Sequence, residues 1–309
     1  MRQKRRNHRF ILLLLVFIVA FTACTTVSYK VPIGNYKEAN TLVIENTRTI
    51  IKQANQVERE IYIDKQVRQH KTIDIKGIHT VELFSQDQLA ARMKALDTID
   101  AYGTLLLKIV NADAPQSIAE TSGTVSKDVT NLLGMMAKLQ GREDTDFKSA
   151  ADPVAKLVSQ VIGLAMKQEI REALNKAVEA GYEPMKKLIA LLSEEAYGAY
   201  KRKRAQLLQK QRYLLDGYDA ELKKGTSLKE ETLKRYAEQI KVELNKWEAS
   251  AEANPDLMFD AMERAQVALL AYARSDKSQK DTDDFSYAMA DYLARMKQVA
   301  ASIKNLSQF

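Results

Sequence analysis

Apolar positions in this chain recur at intervals of three and four over most of its length. Between residues 37 and 68, Val43, Thr47, Ile50, Ala54, Val57 and Ile61 fall on one face of a helix, which predicts a first helix over that span. The spacing changes in "HKTIDIKGIHTVELFS", where Ile73 and Ile75 alternate and Gly77 breaks the run. An extended crossover is expected there, since nothing else in the chain offers a sheet to join. Helical spacing resumes at Ser85, which with Gln88 three residues on has the form of a capping box. Leu89, Met93, Leu96, Gly103, Leu107 and Val110 then form a stripe that Asp100 interrupts, and the helix is expected to stop before Pro115. Val125, Val129, Leu132, Met136 and Leu139 predict a shorter helix closed by Gly141.

In the second half, Asp152 and Pro153 read as an N-cap with a first-turn proline. The span 154–180 is broadly apolar, and Gly181 with Pro184 marks either a new helix or a kink in a long one. The longest periodic run, 183–224, holds Tyr197, Tyr200, Leu207, Leu214 and Tyr218 in heptad register, with Arg204 and Gln211 as polar guests. At ~1.5 Å per residue, such a helix is longer than a compact domain is wide. Leu233, Tyr236, Ile240, Leu244 and Trp247 line the next helix, Asn254 and Pro255 turn the chain, and Met258, Met262, Ala265, Leu269 and Tyr272 line another. The last carries Phe285, Met289, Tyr292, Met296, Val299, Ile303 and Leu306. The expected fold is all-α, an elongated antiparallel bundle of about eight helices with at least one long helix.

Composition agrees: 11 Gly and 5 Pro among 309 residues are few, and a 46% hydrophobic content allows a substantial core. The net charge of +7 comes mostly from the first 23 residues, which hold Arg2, Lys4, Arg5, Arg6 and Arg9 and no acid; the rest has 42 basic against 40 acidic residues. A near-balanced chain supplies no phosphate-neutralising face, so no nucleic acid is expected as a partner.

The basic start is followed by an unbroken apolar run, 10–21, the layout of a secretory signal. That run is shorter than the ~20 residues a membrane-crossing helix needs. Phe21, Thr22, Ala23 and Cys24 then place an apolar residue, two small ones and the chain's single cysteine in succession. This stretch resembles the lipobox of bacterial lipoprotein precursors, with Phe21 where Leu is usual. The resemblance implies cleavage before Cys24, acylation of its thiol, and a membrane anchor. Thr25 stands where Asp would resemble an inner-membrane retention signal, so the implied location is the outer membrane, facing the periplasm. The expected organisation is a signal peptide at 1–23, a lipidated tether at 24–36 and a helical bundle at 37–309. A single acyl chain binds membranes marginally, whereas two or more hold firmly.

Beyond Cys24 the chain offers little reactive chemistry. With no other cysteine, the processed protein has no disulfide or thiolate site of its own. His70 and His79 flank a turn without the Glu-x-x-His spacing of helical di-iron sites, and neither cofactor nor metal is expected. Phosphate-loop, dinucleotide, nucleophile-elbow and zinc-protease motifs are absent. Glu194 and Glu195 are adjacent and point different ways on a helix, and "DTDD" at 281–284 reads as a helix cap rather than a calcium loop. The strongest basic patch, "KRKRAQLLQKQR", makes Arg202, Lys203, Arg204, Lys210 and Arg212 candidate partner-binding residues, with tyrosines nearby. The function expected is that of a lipid-anchored binding, adaptor or scaffold protein of the envelope, more a contact protein than an enzyme. The alternative is a ligand carrier or enzyme with an interhelical cleft around Asp100, since a buried carboxylate demands a partner or a task.

Overall fold

The computed structural model describes residues 27–139, 160–167, 169–224 and 229–307. Eight helices are numbered here: α1 (Val27–Arg68), α2 (Ile75–Thr80), α3 (Gln86–Val110), α4 (Pro115–Leu139), α5 (Ile170–Lys224), α6 (Lys229–Glu252), α7 (Pro255–Arg274) and α8 (Gln279–Ser307). A further helical stretch occupies 160–166. The fold is an elongated all-α bundle, and chain-adjacent long helices pack antiparallel, as in α3 with α4 and α7 with α8.

Contacts along α1 and α5 place these two long helices parallel. Tyr29 lies near Arg171, Glu58 meets Arg202, and Arg68 lies over Tyr213. At the α1 N-terminal end, α1, α3, α4, α5, α7 and α8 share one apolar core. Its centre is partly polar: the Tyr292 hydroxyl donates to Asn40 Oδ1 at 2.8 Å, and Gln266 Nε2 donates to the Tyr36 hydroxyl. Nearby, Tyr272 stacks on Phe285 with ring centroids 4.3 Å apart. Gly181 lets α5 lie against the fully buried Tyr102 ring of α3.

Several sequence expectations need correction. Residues 27–36 form the start of α1 rather than a tether, and Tyr29, Ile33 and Tyr36 are core residues. Pro32 lacks only the hydrogen bond that would reach back to residue 28, close to the helix start, and the buried face outweighs that loss. The expected crossover contains α2, capped by the Asp74 carboxylate, which accepts from the Gly77 N–H at 2.6 Å. α4 begins at Pro115, ten residues before Val125, with the proline where its missing N–H is harmless. On α3, Leu96, Gly103 and Val110 of the expected stripe are buried, but Leu89, Met93 and Leu107 lie at the flanks, and Ala95, Ile99, Tyr102, Leu106 and Ile109 are buried as well, because α1, α4 and α5 cover the helix on three sides. α5 passes through Gly181 and Pro184 without a break.

Other expectations hold. Ser85 and Gln88 form the capping box, Asn254 caps α7 ahead of Pro255, and the apolar stripes of α7 and of α8 as far as Ile303 are buried. Asp281 and Ser278 cap α8 reciprocally. The loop with its Asp152–Pro153 cap lies outside the described residues.

Candidate functional site

Past Val57 the face of α1 turned to α5 becomes charged, and the basic run of α5 lies opposite. Arg202 pairs with Glu58 at 3.0 Å, and Glu60 accepts from Gln206 at 2.7 Å and Lys210 at 3.2 Å. Burial works against the ionised Glu60, but hydrogen bonds from Gln56 and Gln206 and the Lys210 charge hold its carboxyl below the ordinary value. Burial lowers the Lys203 pKa while Glu60 pulls the other way. Arg204 stacks on Trp247 at 3.7 Å, joining α5 to α6. Four of the five basic residues singled out in the sequence therefore make contacts inside the fold. Arg212 is exposed, and the described residues give it no hydrogen bond, ion pair or ring contact.

The heptad seam is the α5–α6 contact. The Tyr200 hydroxyl donates to the Ser250 carbonyl at 3.0 Å, and Gln211 Nε2 donates to the Glu243 carbonyl at 3.0 Å. Gly217 closes against the Tyr236 ring. With the end of α1, these two helices make a three-helix arm beyond the six-helix body. Among the described residues 212–249, none is buried.

α1 stops at Arg68, and His70 turns the chain in the left-handed region at φ 53°. Beside the last two turns of α1, a cleft of about 440 Å³ lies between α1, α5 and α6, and α5 and α6 continue past it. Its apolar walls are Ile61, Val67, Tyr213, Leu214 and Val242; Gln206, Gln209 and Gln239 add amides, and Asp64, Arg68, Lys210, Glu238 and Glu243 add charge of both signs. Glu243 Oε1 accepts from Lys246 at 2.8 Å, whereas Oε2 is buried with no hydrogen-bond partner. Sequence reading missed this cleft because its residues come from three helices far apart in the chain. The signal it could have used was the apolar character of Val67, Tyr213 and Val242 on otherwise polar stretches.

A second cleft of about 330 Å³ lies between α5 and α7, lined by Glu194, Asp260 and Glu263 with Lys186, Tyr182 and Phe259. Neither cleft reaches Asp100, whose carboxylate pairs with Lys37 Nζ at 2.6 Å on the flank of α3. Asp100 is thus partly exposed and partnered, which removes the observation that favoured a catalytic cleft around it. Glu195 turns the other way from Glu194 and pairs with Arg92 in the α3–α5 interface. His70 and His79 are exposed, and His79 meets Glu82. Among the described residues no group of three or more His, Cys, Asp or Glu side chains is placed to hold a metal, and no helix is long and apolar enough to cross a membrane. Cys24 lies outside the described residues.

Comparison with known proteins finds no matching family model, no matching curated protein and no matching solved structure.

Proposed function

We propose that this is a lipid-anchored contact protein of the bacterial envelope, held by acyl chains on Cys24 in the outer membrane and presenting its arm to an envelope partner in the periplasm. The observation that carries the proposal is the placement of the arm cleft at the end of α1 opposite to Val27, which follows Cys24 by three residues. A 42-residue helix is about 60 Å long. With α1 standing away from the bilayer, an anchor at Cys24 puts the cleft about 50 Å from the lipid surface, where a protein partner can reach it.

Two measurements in cells test the two halves of the proposal. Cys24→Ser is expected to abolish acylation and shift the protein from the membrane to the soluble fraction; a variant that stays in the membrane at the processed size rules out the lipid anchor. A photo-crosslinking residue at Val242, which is exposed and lines the cleft, is expected to capture one discrete envelope protein. Absence of any adduct there, with normal abundance of the protein, rules out the arm as the contact element.

A further inference from the structure

We infer that two copies of this chain associate arm to arm, α5 against α5 in antiparallel register, with the twofold axis at Leu215. The α5 residues that meet α1 are Arg202, Gln206, Lys210 and Tyr213. The side turned away from them carries Leu208, Leu215 and Leu222, seven residues apart, which remain 37%, 49% and 47% exposed. Leucines scattered singly are ordinary on a protein surface, but three in one heptad line form a seam. Leu244 of α6, exposed as well, extends the apolar surface, since it stands two positions beyond Val242 and so on the other side of α6 from the cleft. Cleft and seam are separate faces, and the inference goes beyond the contact reading above without resting on it.

The charges between the leucines select the occupant and its direction. Arg212 lies between Leu208 and Leu215, and Asp219 between Leu215 and Leu222. Both are exposed, and the described residues give neither an ion pair nor a hydrogen bond. At about 1.5 Å per residue, Arg212 stands about 4.5 Å to one side of Leu215 and Asp219 about 6 Å to the other, while Leu208 and Leu222 are equally far from it. A second α5 running the opposite way brings Arg212 of each copy level with Asp219 of the other, Leu208 with Leu222, and Leu215 with itself. The surface is thus self-complementary, as a twofold contact requires. Parallel pairing would set Arg212 on Arg212 and Asp219 on Asp219, like charge against like.

The seam from Leu208 to Leu222 is about 21 Å long, which places the contact at the small end of protein interfaces and makes the dimer a weak one. The two α1 helices then point in opposite directions. Copies that share one leaflet pair while lying along it, and a copy that stands upright is unpaired.

Cysteine cross-linking tests the register. The full processed chain would be treated with a short bismaleimide in neutral detergent at rising protein concentration, with the unsubstituted protein and its Cys24 as the baseline. Leu215→Cys alone is expected to give a product of twice the chain mass. Leu208→Cys and Leu222→Cys are expected to give it when mixed and not when alone, since like positions lie about 21 Å apart across the axis. In the Leu215→Cys background, Arg212→Glu should lower the yield at least fivefold, and adding Asp219→Arg should restore it to within twofold. A Leu215→Cys yield no higher than that of Tyr287→Cys, an exposed site on α8, overturns the inference. So does self-linking of Leu208→Cys or Leu222→Cys, which would mean a parallel pair, or a charge-reversed double variant that keeps native circular dichroism and fails to recover the product. None of these readouts depends on acylation of Cys24 or on a partner at the cleft.

Discussion

Two glycines of α5, 17 residues apart, have opposite surroundings. A methyl group on Gly181 would overlap the Tyr102 ring, which is fully buried, so Gly181→Ala is expected to cost about 1–3 kcal/mol. Gly198 has nothing within 4 Å of the corresponding position, so Gly198→Ala is expected to gain about 0.5–1 kcal/mol from helix propensity alone. Urea denaturation of the two variants would show shifts of opposite sign, and a loss at both positions would contradict the packing described. The Arg92–Glu195 pair has a pH signature. Burial raises the Glu195 pKa above its ordinary value, and the Arg92 charge opposes this without cancelling it. The folded state then holds the proton more tightly than the unfolded chain. The contribution of Glu195 is greatest below its unfolded pKa and declines as pH rises through the folded value. The stability of the wild type relative to Glu195→Gln should therefore fall as pH is raised from about 4 to about 8. A gap that widens in favour of the wild type would mean that Arg92 wins and the carboxyl is held low.

At the scale of elements, residues 27–36 make the sharpest prediction. Tyr29, Ile33 and Tyr36 are buried there, and at roughly 1.5–3 kcal/mol for each large side chain their loss approaches the whole stability of an ordinary domain. A chain starting at Lys37 should lack a cooperative thermal transition; one that melts within a few degrees of the chain starting at Val27 would refute the assignment of this segment to the core. The same segment shows why the sequence was only partly legible. Pro32 and Gly34 are the residues that punctuate turns, and the buried positions around them, Tyr29, Ile33 and Tyr36, include two tyrosines that a stripe of aliphatics would not contain. α7 and α8 were readable because each buries a single strongly apolar stripe, as Met258, Met262, Ala265 and Leu269 show. α3 was harder, since three neighbours bury it on several sides and small residues such as Ala91 and Ala95 serve as contact points. The basic run of α5 was conspicuous in the sequence, but whether it faced solvent depended on Glu58 and Glu60 of α1, more than 140 residues away.

The whole molecule divides by what holds it together. The body buries aliphatic and aromatic side chains on six helices, while the arm relies on ion pairs, amide hydrogen bonds and the Arg204–Trp247 stack. Partly exposed ion pairs contribute little each and weaken with salt. Amide hydrogen exchange should therefore be much faster in 213–224 and 229–245 than in α3 or α7, with the contrast growing at high ionic strength. Uniform protection along α5 would show that the arm is as firmly built as the body. One part crosses that divide: α5 is a single helix of 55 residues, about 80 Å long, rooted among apolar neighbours and reaching to the tip. A tilt of about 10° at its root would sweep the tip through about 14 Å, some two and a half helical turns. A tug on the far end would load first the ties of α5 to α1 and α6, Lys210–Glu60 and Arg204–Trp247, before it reached the place where Gly181 rests on Tyr102.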